Sequence, residues 1–226
     1  MNEIQRTKTS DGRIKILDIG CGDGPFIRNA LAAGIDAAFI GLDISLNLIS
    51  MAEKNLDGSN VDLIVADAFN MPFKQEEEFD LIHIDSVLHH LIGKTRADSV
   101  RLMDLFCKQL RDRLSENGSL LVEEVYYSSH LFPQITSCMI FYGLKLLNFL
   151  HLDISKIVVD LLPGLEVNFL HHKQIEELLQ QYGTIQLIKQ TPWQVPRLYR
   201  LFLLKDLGHI SYIITALPRP PSQHQR

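Results

Sequence analysis

Short apolar runs alternate with amphipathic segments along the first half of the chain. The apolar runs are bounded by glycine-rich or polar breaks and cover residues 14–19, 38–44, 61–66, 79–84 and 119–126. Three segments between them show helical spacing of apolar residues, at 25–33, 45–56 and 96–114. Because strands that alternate with helices form right-handed crossover units, the pattern predicts a doubly wound α/β fold with a mostly parallel sheet.

The alternation stops after the fifth apolar run. Residues 128–168 form an apolar insert that is too long for an ordinary connection and is expected to be a helical lid. A helix is predicted over 171–182, and two strands over 184–190 and 209–216. Because no helix separates these last two strands, they are expected to pair antiparallel at one edge of a seven-stranded sheet.

Composition limits the class of protein. The 226 residues fit one α/β domain over residues 1–226, with the proline-rich residues 217–226 expected to form a disordered tail. The net charge of -5 gives no electrostatic reason to expect a nucleic-acid partner. Cys21, Cys107 and Cys138 fit neither a zinc pattern nor a disulfide framework, so no metal and a reducing compartment are predicted.

Two segments bear on membranes and localisation. Residues 1–11 are polar and lack the apolar core of a signal peptide, which favours a cytoplasmic protein. Residues 131–150 are strongly apolar and nearly long enough to span a bilayer. They contain Pro133, Gln134, Lys145 and Asn148, and a lysine near the middle of a span is costly. No transmembrane segment is therefore expected; a lid, a buried helix or a homodimer contact remain open for this segment.

A cluster of glycines follows the first predicted strand. The sequence runs from Asp18 through Gly20, Cys21 and Gly22 to Gly24, where the strand should turn into a helix. Glycines at such a turn allow positive φ and let the backbone approach a ligand closely. Two alternatives stay open, a tight structural turn and the related loop of dinucleotide-binding proteins.

Acidic residues stand at the ends of the next three predicted strands. Asp43 ends the second strand and can accept hydrogen bonds from ribose hydroxyls, although it can equally cap the helix after Ser45. Asp67 follows the third strand and can reach an adenine amino group, or serve as a turn aspartate. Asp85 and Ser86 end the fourth strand. Ligands of open α/β sheets bind at this edge, where the strands end.

Several blocks of the sequence resemble one enzyme family. LDIGCGDG, GLDIS, ADAFNMPF with FDLIHIDSVLHHL, LRDRLSENGSLLVEE and NFLHHKQIEELLQQYG occur in this order. They are similar to the motifs of class I S-adenosylmethionine-dependent methyltransferases, in the small-molecule branch called the ubiquinone-biosynthesis or type 11 group. The GxGxG spacing differs from the GxGxxG of nicotinamide dehydrogenases, which favours the methyltransferase.

The resemblance implies S-adenosyl-L-methionine as cofactor and a role for each matching residue. The amino acid part of the cofactor is assigned to Asp18, Gly20, Cys21, Gly22 and Gly24. The ribose and adenine are assigned to Asp43, Ile44, Asp67 and Ala68, and the neighbourhood of the methyl donor to Asp85 and Ser86. The chain departs from the family in its short stretch before the first strand and in the unmatched insert 128–168.

The predicted reaction transfers a methyl group to an oxygen or carbon of a small, largely apolar or aromatic metabolite. The cofactor brings an activated methyl group, so the protein must mainly align the acceptor and exclude water. A general base helps with such acceptors, and the candidates are His89, His90 and His130, each of which also has a structural interpretation. A non-catalytic partner subunit and a protein or RNA methyltransferase remain as alternatives.

Overall fold

The computed structural model describes residues 12–74, 76–130, 132, 134–152, 164–195 and 204–216. The strands are β1 (Ile14–Ile19), β2 (Ala37–Asp43), β3 (Val61–Val65), β4 (Phe79–Asp85), β5 (Leu114–Ser129), β6 (Gly183–Pro192) and β7 (Leu204–Ala216). The helices are α1 (Pro25–Ala32), α2 (Leu46–Asn55), α3 (Arg96–Asp112), α4 (Ile135–Phe149) and α5 (His172–Leu179), with a single 3₁₀ turn at Leu88–His90.

The strands form one sheet in the order β3-β2-β1-β4-β5-β7-β6. The pairs among β1 to β5 are parallel, and β7 runs antiparallel to both β5 and β6. Asp18 is in register with Gly41 of β2 and His83 of β4, so the carboxyl ends of the central strands lie level. The predicted seven-stranded, mostly parallel sheet with an antiparallel last strand is confirmed.

Apolar side chains cover both faces of the sheet. On one face, Leu17 and Phe79 pack with Phe106 of α3 and Leu179 of α5. On the other face, a smaller cluster joins Ile16 and Phe39 to Ile27 of α1 and Ala52 of α2. Neighbouring residues of β1 therefore contribute to opposite cores, as expected for a parallel strand that is buried on both sides. Each fully buried side chain of this size contributes roughly 1.5–3 kcal/mol to stability.

Strand β5 differs from the prediction at its start. It begins at Leu114, where the sequence predicted the end of a helix, and α3 ends at Asp112. The Asn117-Gly118 pair, which falls between the predicted helix at 96–114 and the predicted strand at 119–126, lies within β5. The register shifts between the pairs made by Phe79 and Leu81, so β5 carries a bulge there. A Cβ on Gly118 would lie 2.8 Å from the Phe79 carbonyl oxygen, which explains the glycine.

The described part of the predicted insert contains one helix. β5 continues to Ser129, whose hydroxyl donates to Thr136 Oγ1 (2.7 Å) and accepts from the Thr136 amide (2.9 Å), which joins the strand to α4. Residues 153–163 of the insert and the predicted tail 217–226 lie outside the described residues. Among the described helices, none is long and apolar enough to cross a membrane.

Candidate functional site

The three glycines of the loop between β1 and α1 all have positive φ, at 72°, 55° and 84° for Gly20, Gly22 and Gly24. A Cβ on Gly20 would lie 2.6 Å from Val87, and one on Gly24 would lie 2.8 Å from Leu56, so packing alone accounts for these two. Gly22 differs because a Cβ there would meet nothing within 4 Å. Its backbone faces open space, as a surface that receives a ligand must.

The Asp43 side chain ties this loop to the start of α2. Its Oδ2 accepts a hydrogen bond from the Gly22 amide (2.9 Å), and its Oδ1 accepts from the Ser45 amide (2.8 Å). Ser45 itself is the N-cap residue of α2, with its hydroxyl accepting from the Leu48 amide. Each carboxylate oxygen can accept a second hydrogen bond, so these contacts hold Asp43 in place without using up its capacity to bind a ligand.

The residues after β2 and β3 line the same edge. Ile44 leaves 74% of its surface exposed directly after Asp43, an unusual state for an isoleucine next to a buried strand. Asp67 forms an Asx turn, since its Oδ1 accepts from the Phe69 amide (2.9 Å) and its Oδ2 from Asn70 (3.1 Å). Asp67 is exposed and Ala68 is half-buried beside it. Asp67 therefore acts as a turn aspartate, and its side chain remains accessible to solvent.

An ionic network connects the end of β1, directly before the glycine loop, to β4 and β5. Asp18 Oδ1 lies 2.7 Å from Nδ1 of His83, whose Nε2 lies 3.4 Å from Glu123 Oε2. Burial opposes the charge of His83, but the bonds to Asp18 and Glu123 prevail and raise its pKa to about 9. The bond from His83 lowers the pKa of Glu123 to about 2. The ring of Phe26 in α1 stacks on His83 at 3.8 Å.

Asp18 itself occupies the end of β1 as the sequence predicted. Burial raises the pKa of its carboxyl group, and the bond from His83 acts in the opposite direction. Its Oδ2 is buried without a hydrogen-bond partner in the described ranges. The neighbouring Cys21 thiol is also buried, and burial together with the charge of Asp18 raises its pKa to about 12. A thiol of that kind is inert at neutral pH. The Cys21 amide donates to the Leu42 carbonyl oxygen (3.1 Å), and the Cys21 carbonyl oxygen accepts from the Gly24 amide (2.9 Å).

Asp85 and Ser86 form a polar cluster with a residue that sequence reasoning missed. The Asp85 Oδ1 accepts from the Ser86 hydroxyl (2.8 Å) and contacts Nε2 of His209 on β7 (2.9 Å). Ser86 has a φ of 57°, a conformation that is rare for residues other than glycine and that clusters at functional sites. The bond to Asp85 raises the pKa of His209, against the opposing effect of burial.

The predicted catalytic histidines have different surroundings. His89 is buried, and its Nδ1 lies 2.5 Å from Oε1 of Glu124, which also accepts from the Val125 amide (2.7 Å). His90 has an exposed surface and its ring is tilted against that of His89, and the partial burial of the imidazole with the proximity of His89 lowers its pKa. His130 is exposed after β5. The structure brings His89 and His90 together at the end of β4 and places His130 at the end of β5.

His209 could not be recognised from sequence patterns. It stands in the middle of the last strand, 124 residues after Asp85, in a stretch without any motif. The only available signal was a polar residue at the start of the strand predicted over 209–216, and the antiparallel pairing with β5 was needed to bring it to the site. Across the described ranges, no group of three or more histidine, cysteine or acidic side chains is arranged to hold a metal ion.

Comparison with known proteins places these features in a family. Residues 10–182 match the model of a family described as a methyltransferase domain. N-methyltransferase 4 from Papaver somniferum is 26% identical over 152 residues, 58% of this chain and 40% of that protein. A malonyl-[acyl-carrier protein] O-methyltransferase from Halalkalibacterium halodurans is 29% identical over 133 residues, 56% of this chain and 46% of that protein. The chain thus spans less than half the length of either relative.

Solved structures agree on the fold. The crystal structure of N-methyltransferase NodS from Bradyrhizobium japonicum, in complex with S-adenosyl-L-homocysteine, has a TM-score of 0.53 to this chain and 15% sequence identity. The superposition covers 91% of this chain and 80% of that one, and at this identity the likeness is one of fold. Since the family model covers more than half of the sequence, the chain belongs to the methyltransferase-domain family, the class I S-adenosylmethionine-dependent methyltransferases.

Proposed function

We propose that this protein transfers the methyl group of S-adenosyl-L-methionine to an oxygen or carbon atom of a small, largely apolar or aromatic molecule. The observation that carries the proposal is the backbone of Gly22, which has positive φ, faces open space and is held by Asp43 at the carboxyl edge of the sheet. This is the edge at which open α/β sheets bind nucleotide-containing ligands.

The residues around Gly22 fit the cofactor in their chemistry. The Asp43 carboxylate would accept hydrogen bonds from the ribose hydroxyls, and the exposed Ile44 would be covered by the adenine ring. Asp67, with Ala68 beside it, would accept from the adenine amino group. The cofactor, when bound, supplies a methyl group already activated on sulfur. The chain would contribute binding and orientation of the reacting groups.

The amino acid part of the cofactor would lie over the glycine loop, between Asp18 and Asp85. Its ammonium group matches a carboxylate cluster of this kind, and its carboxylate would face the positive end of the α1 dipole. Asp18 offers a buried oxygen without a partner in the described structure, which fits a cationic ligand. Ser86, in its strained conformation beside Asp85, would border the methyl donor.

The apolar acceptor is inferred from α4. Four large side chains of this helix and the C-cap residue that follows it are exposed: Met139, Tyr142, Leu146, Phe149 and Leu150. Phe149 alone leaves 79% of its surface exposed. An exposed apolar surface of this kind marks a binding region for a ligand or another chain. We infer that α4 acts as a lid over an apolar acceptor.

The family alone does not choose the acceptor atom, because one relative is named an N-methyltransferase and another an O-methyltransferase. The choice of oxygen or carbon rests on the histidine and carboxylate pair formed by His209 of β7 and Asp85 at the end of β4, which can take up the proton that such acceptors release.

A screen with methyl-labelled S-adenosylmethionine tests this proposal. We expect label transfer to hydrophobic phenols or to compounds with an acidic carbon, and little transfer to amines, peptides or RNA fragments of matched size. Preferential transfer to an amine would contradict the acceptor class while leaving methyl transfer intact. Binding of the cofactor without transfer to any compound would favour a non-catalytic partner subunit.

A further inference from the structure

The pair formed by His209 and Asp85 occupies a distinctive place at the site. Asp85 ends β4, and its carbonyl oxygen lies within 4.0 Å of the position that a Cβ of Gly20 would take. The contact of 2.9 Å between His209 Nε2 and Asp85 Oδ1 therefore brings a residue of β7 to the border of the cofactor loop. Both side chains remain accessible, with 25% of His209 and 44% of Asp85 exposed.

We propose that His209, oriented by Asp85, is the general base that takes the proton of the methyl acceptor. This inference rests on the proposed methyltransferase function. It gives His209 the role that the sequence suggested for His89, His90 or His130.

The direction of the hydrogen bond supports this role. An ionised carboxylate can only accept hydrogen bonds, so Asp85 requires the proton of the ring to be on Nε2 of His209. The lone pair of the neutral ring is then on Nδ1, the nitrogen that can receive a proton. A carboxylate that fixes the tautomer and stabilises the imidazolium is the arrangement by which a histidine acts as a base in hydrolytic triads.

Two other histidines at the same edge are less suited. His83 has both ring nitrogens in contact with carboxylates and is buried under Phe26. His89 leaves only 9% of its side chain exposed, and Glu124 holds its Nδ1. The contacts of His83 and His89 hold elements of the fold together. Among the described residues, His209 is therefore the imidazole that is both oriented by a carboxylate and open to a ligand.

The charges around His209 set the pH at which it can act. Asp85 faces it from β4, Glu123 and Glu124 act on it from β5, and Lys189 of β6 is paired with Ser211, two residues along β7. The carboxylates predominate and raise the pKa of His209. A stronger base matches a weakly acidic phenol or carbon better, although the enzyme must be at a pH high enough to deprotonate the ring.

With a hydroxyl acceptor, one bond forms, one bond breaks and one proton is released. A lone pair of the acceptor oxygen forms the new bond to the methyl carbon, and the bond from that carbon to sulfur breaks with its electron pair going to sulfur. The proton of the hydroxyl goes to Nδ1 of His209 and from there to solvent. The products are the methyl ether, S-adenosylhomocysteine and a proton.

Nuclear magnetic resonance provides a test that does not depend on turnover. In the full chain with labelled histidine, the His209 ring signals are assigned from their loss in His209→Gln. We expect titration above the ordinary histidine pKa of about 6.5, a lower pKa in Asp85→Asn, and a shift of the His209 signals when S-adenosylhomocysteine binds. An unchanged titration in Asp85→Asn, or signals that do not respond to S-adenosylhomocysteine, would overturn the inference.

Kinetics separate a base from a structural residue. With the acceptor found in the screen, His209→Gln should lower kcat by roughly 100-fold or more and abolish the acid limb of the pH profile, while the Kd of S-adenosylhomocysteine stays within about twofold. In Asp85→Asn the acid limb should move to lower pH. His172→Gln in α5, the same chemical change, is the matched control. Undiminished transfer by His209→Gln would overturn this inference alone, whereas absence of transfer by the wild-type protein would overturn the proposed function.

Discussion

The two halves of the sheet differ in how they form the site. At the carboxyl ends of β1, β2 and β3, the polar groups belong to continuous local motifs, such as the loop from Asp18 to Gly24. At the ends of β4, β5 and β7, they come from distant parts of the chain and meet only through strand pairing, as His209 and Asp85 do. We propose that the first half binds most of the cofactor and that the second half borders the methyl donor and receives the acceptor. A buried network from Asp18 through His83 to Glu123 joins the two.

The largest expected effect concerns the cofactor half. Asp43→Ala should weaken S-adenosylhomocysteine binding about 100-fold, because two charge-assisted hydrogen bonds to the ribose would be lost. Unfolding free energy should fall by only about 1–2 kcal/mol, from the lost contacts to the Gly22 and Ser45 amides. Calorimetric titration and urea unfolding measure the two quantities. Unchanged affinity in a folded variant would show that the ribose assignment is wrong.

A pair of glycines separates ligand contact from backbone strain. Gly22 and Gly34 both have positive φ, and a Cβ at either would meet nothing within 4 Å. Alanine at either position should therefore cost a similar amount of stability, about 1 kcal/mol. Only Gly22→Ala should also weaken S-adenosylhomocysteine binding, by about tenfold or more, since the added methyl group occupies the space for the ligand. Equal affinities of the two variants would remove Gly22 from the site.

The network that joins the halves predicts a dependence of stability on pH. His83 has a folded pKa of about 9, above its ordinary value of 6.5. Its contribution is therefore fully present below pH 6.5 and is lost as pH rises through 9, with a size of about 3 kcal/mol. Urea unfolding between pH 6.5 and 9.5 should show this decline in the wild type and in His172→Gln, and a flatter profile in His83→Gln. A decline that persists in His83→Gln would assign it to another group.

The smallest expected effect concerns the acceptor half. Phe149→Ser and Tyr142→Ser on the exposed side of α4 should lower kcat/KM for an apolar acceptor by about three- to tenfold, as the loss of one apolar contact allows. The affinity for S-adenosylhomocysteine should not change. If kcat/KM and the affinity for S-adenosylhomocysteine fell equally and the sedimentation coefficient changed, α4 would instead be a contact between two copies of the chain.

Prediction from the sequence succeeded in the half of the sheet around β1 and failed in parts of the half around β5 and β7. The bounds of β1 were predicted correctly because the local pattern of apolar residues determines them. The start of β5 was wrong because strand pairing incorporates Asn117-Gly118 as a bulge. The role that we propose for His209, that of general base, could not be predicted because it depends on a contact between residues 124 positions apart. Conversely, a short sequence motif suggested His89 as a candidate base, and in the structure Glu124 contacts its Nδ1.

Calorimetric titration of the purified protein with S-adenosylmethionine and S-adenosylhomocysteine, with NAD as the control, tests the central claim most directly. Methyltransferases and nicotinamide dehydrogenases both have a glycine-rich loop after β1 and an acidic residue at the end of β2, so a binding measurement distinguishes directly between their two cofactors. We expect saturable binding of the first two ligands and none of NAD. Binding of NAD, or of none of the three ligands, would contradict the assignment of this edge of the sheet to S-adenosylmethionine.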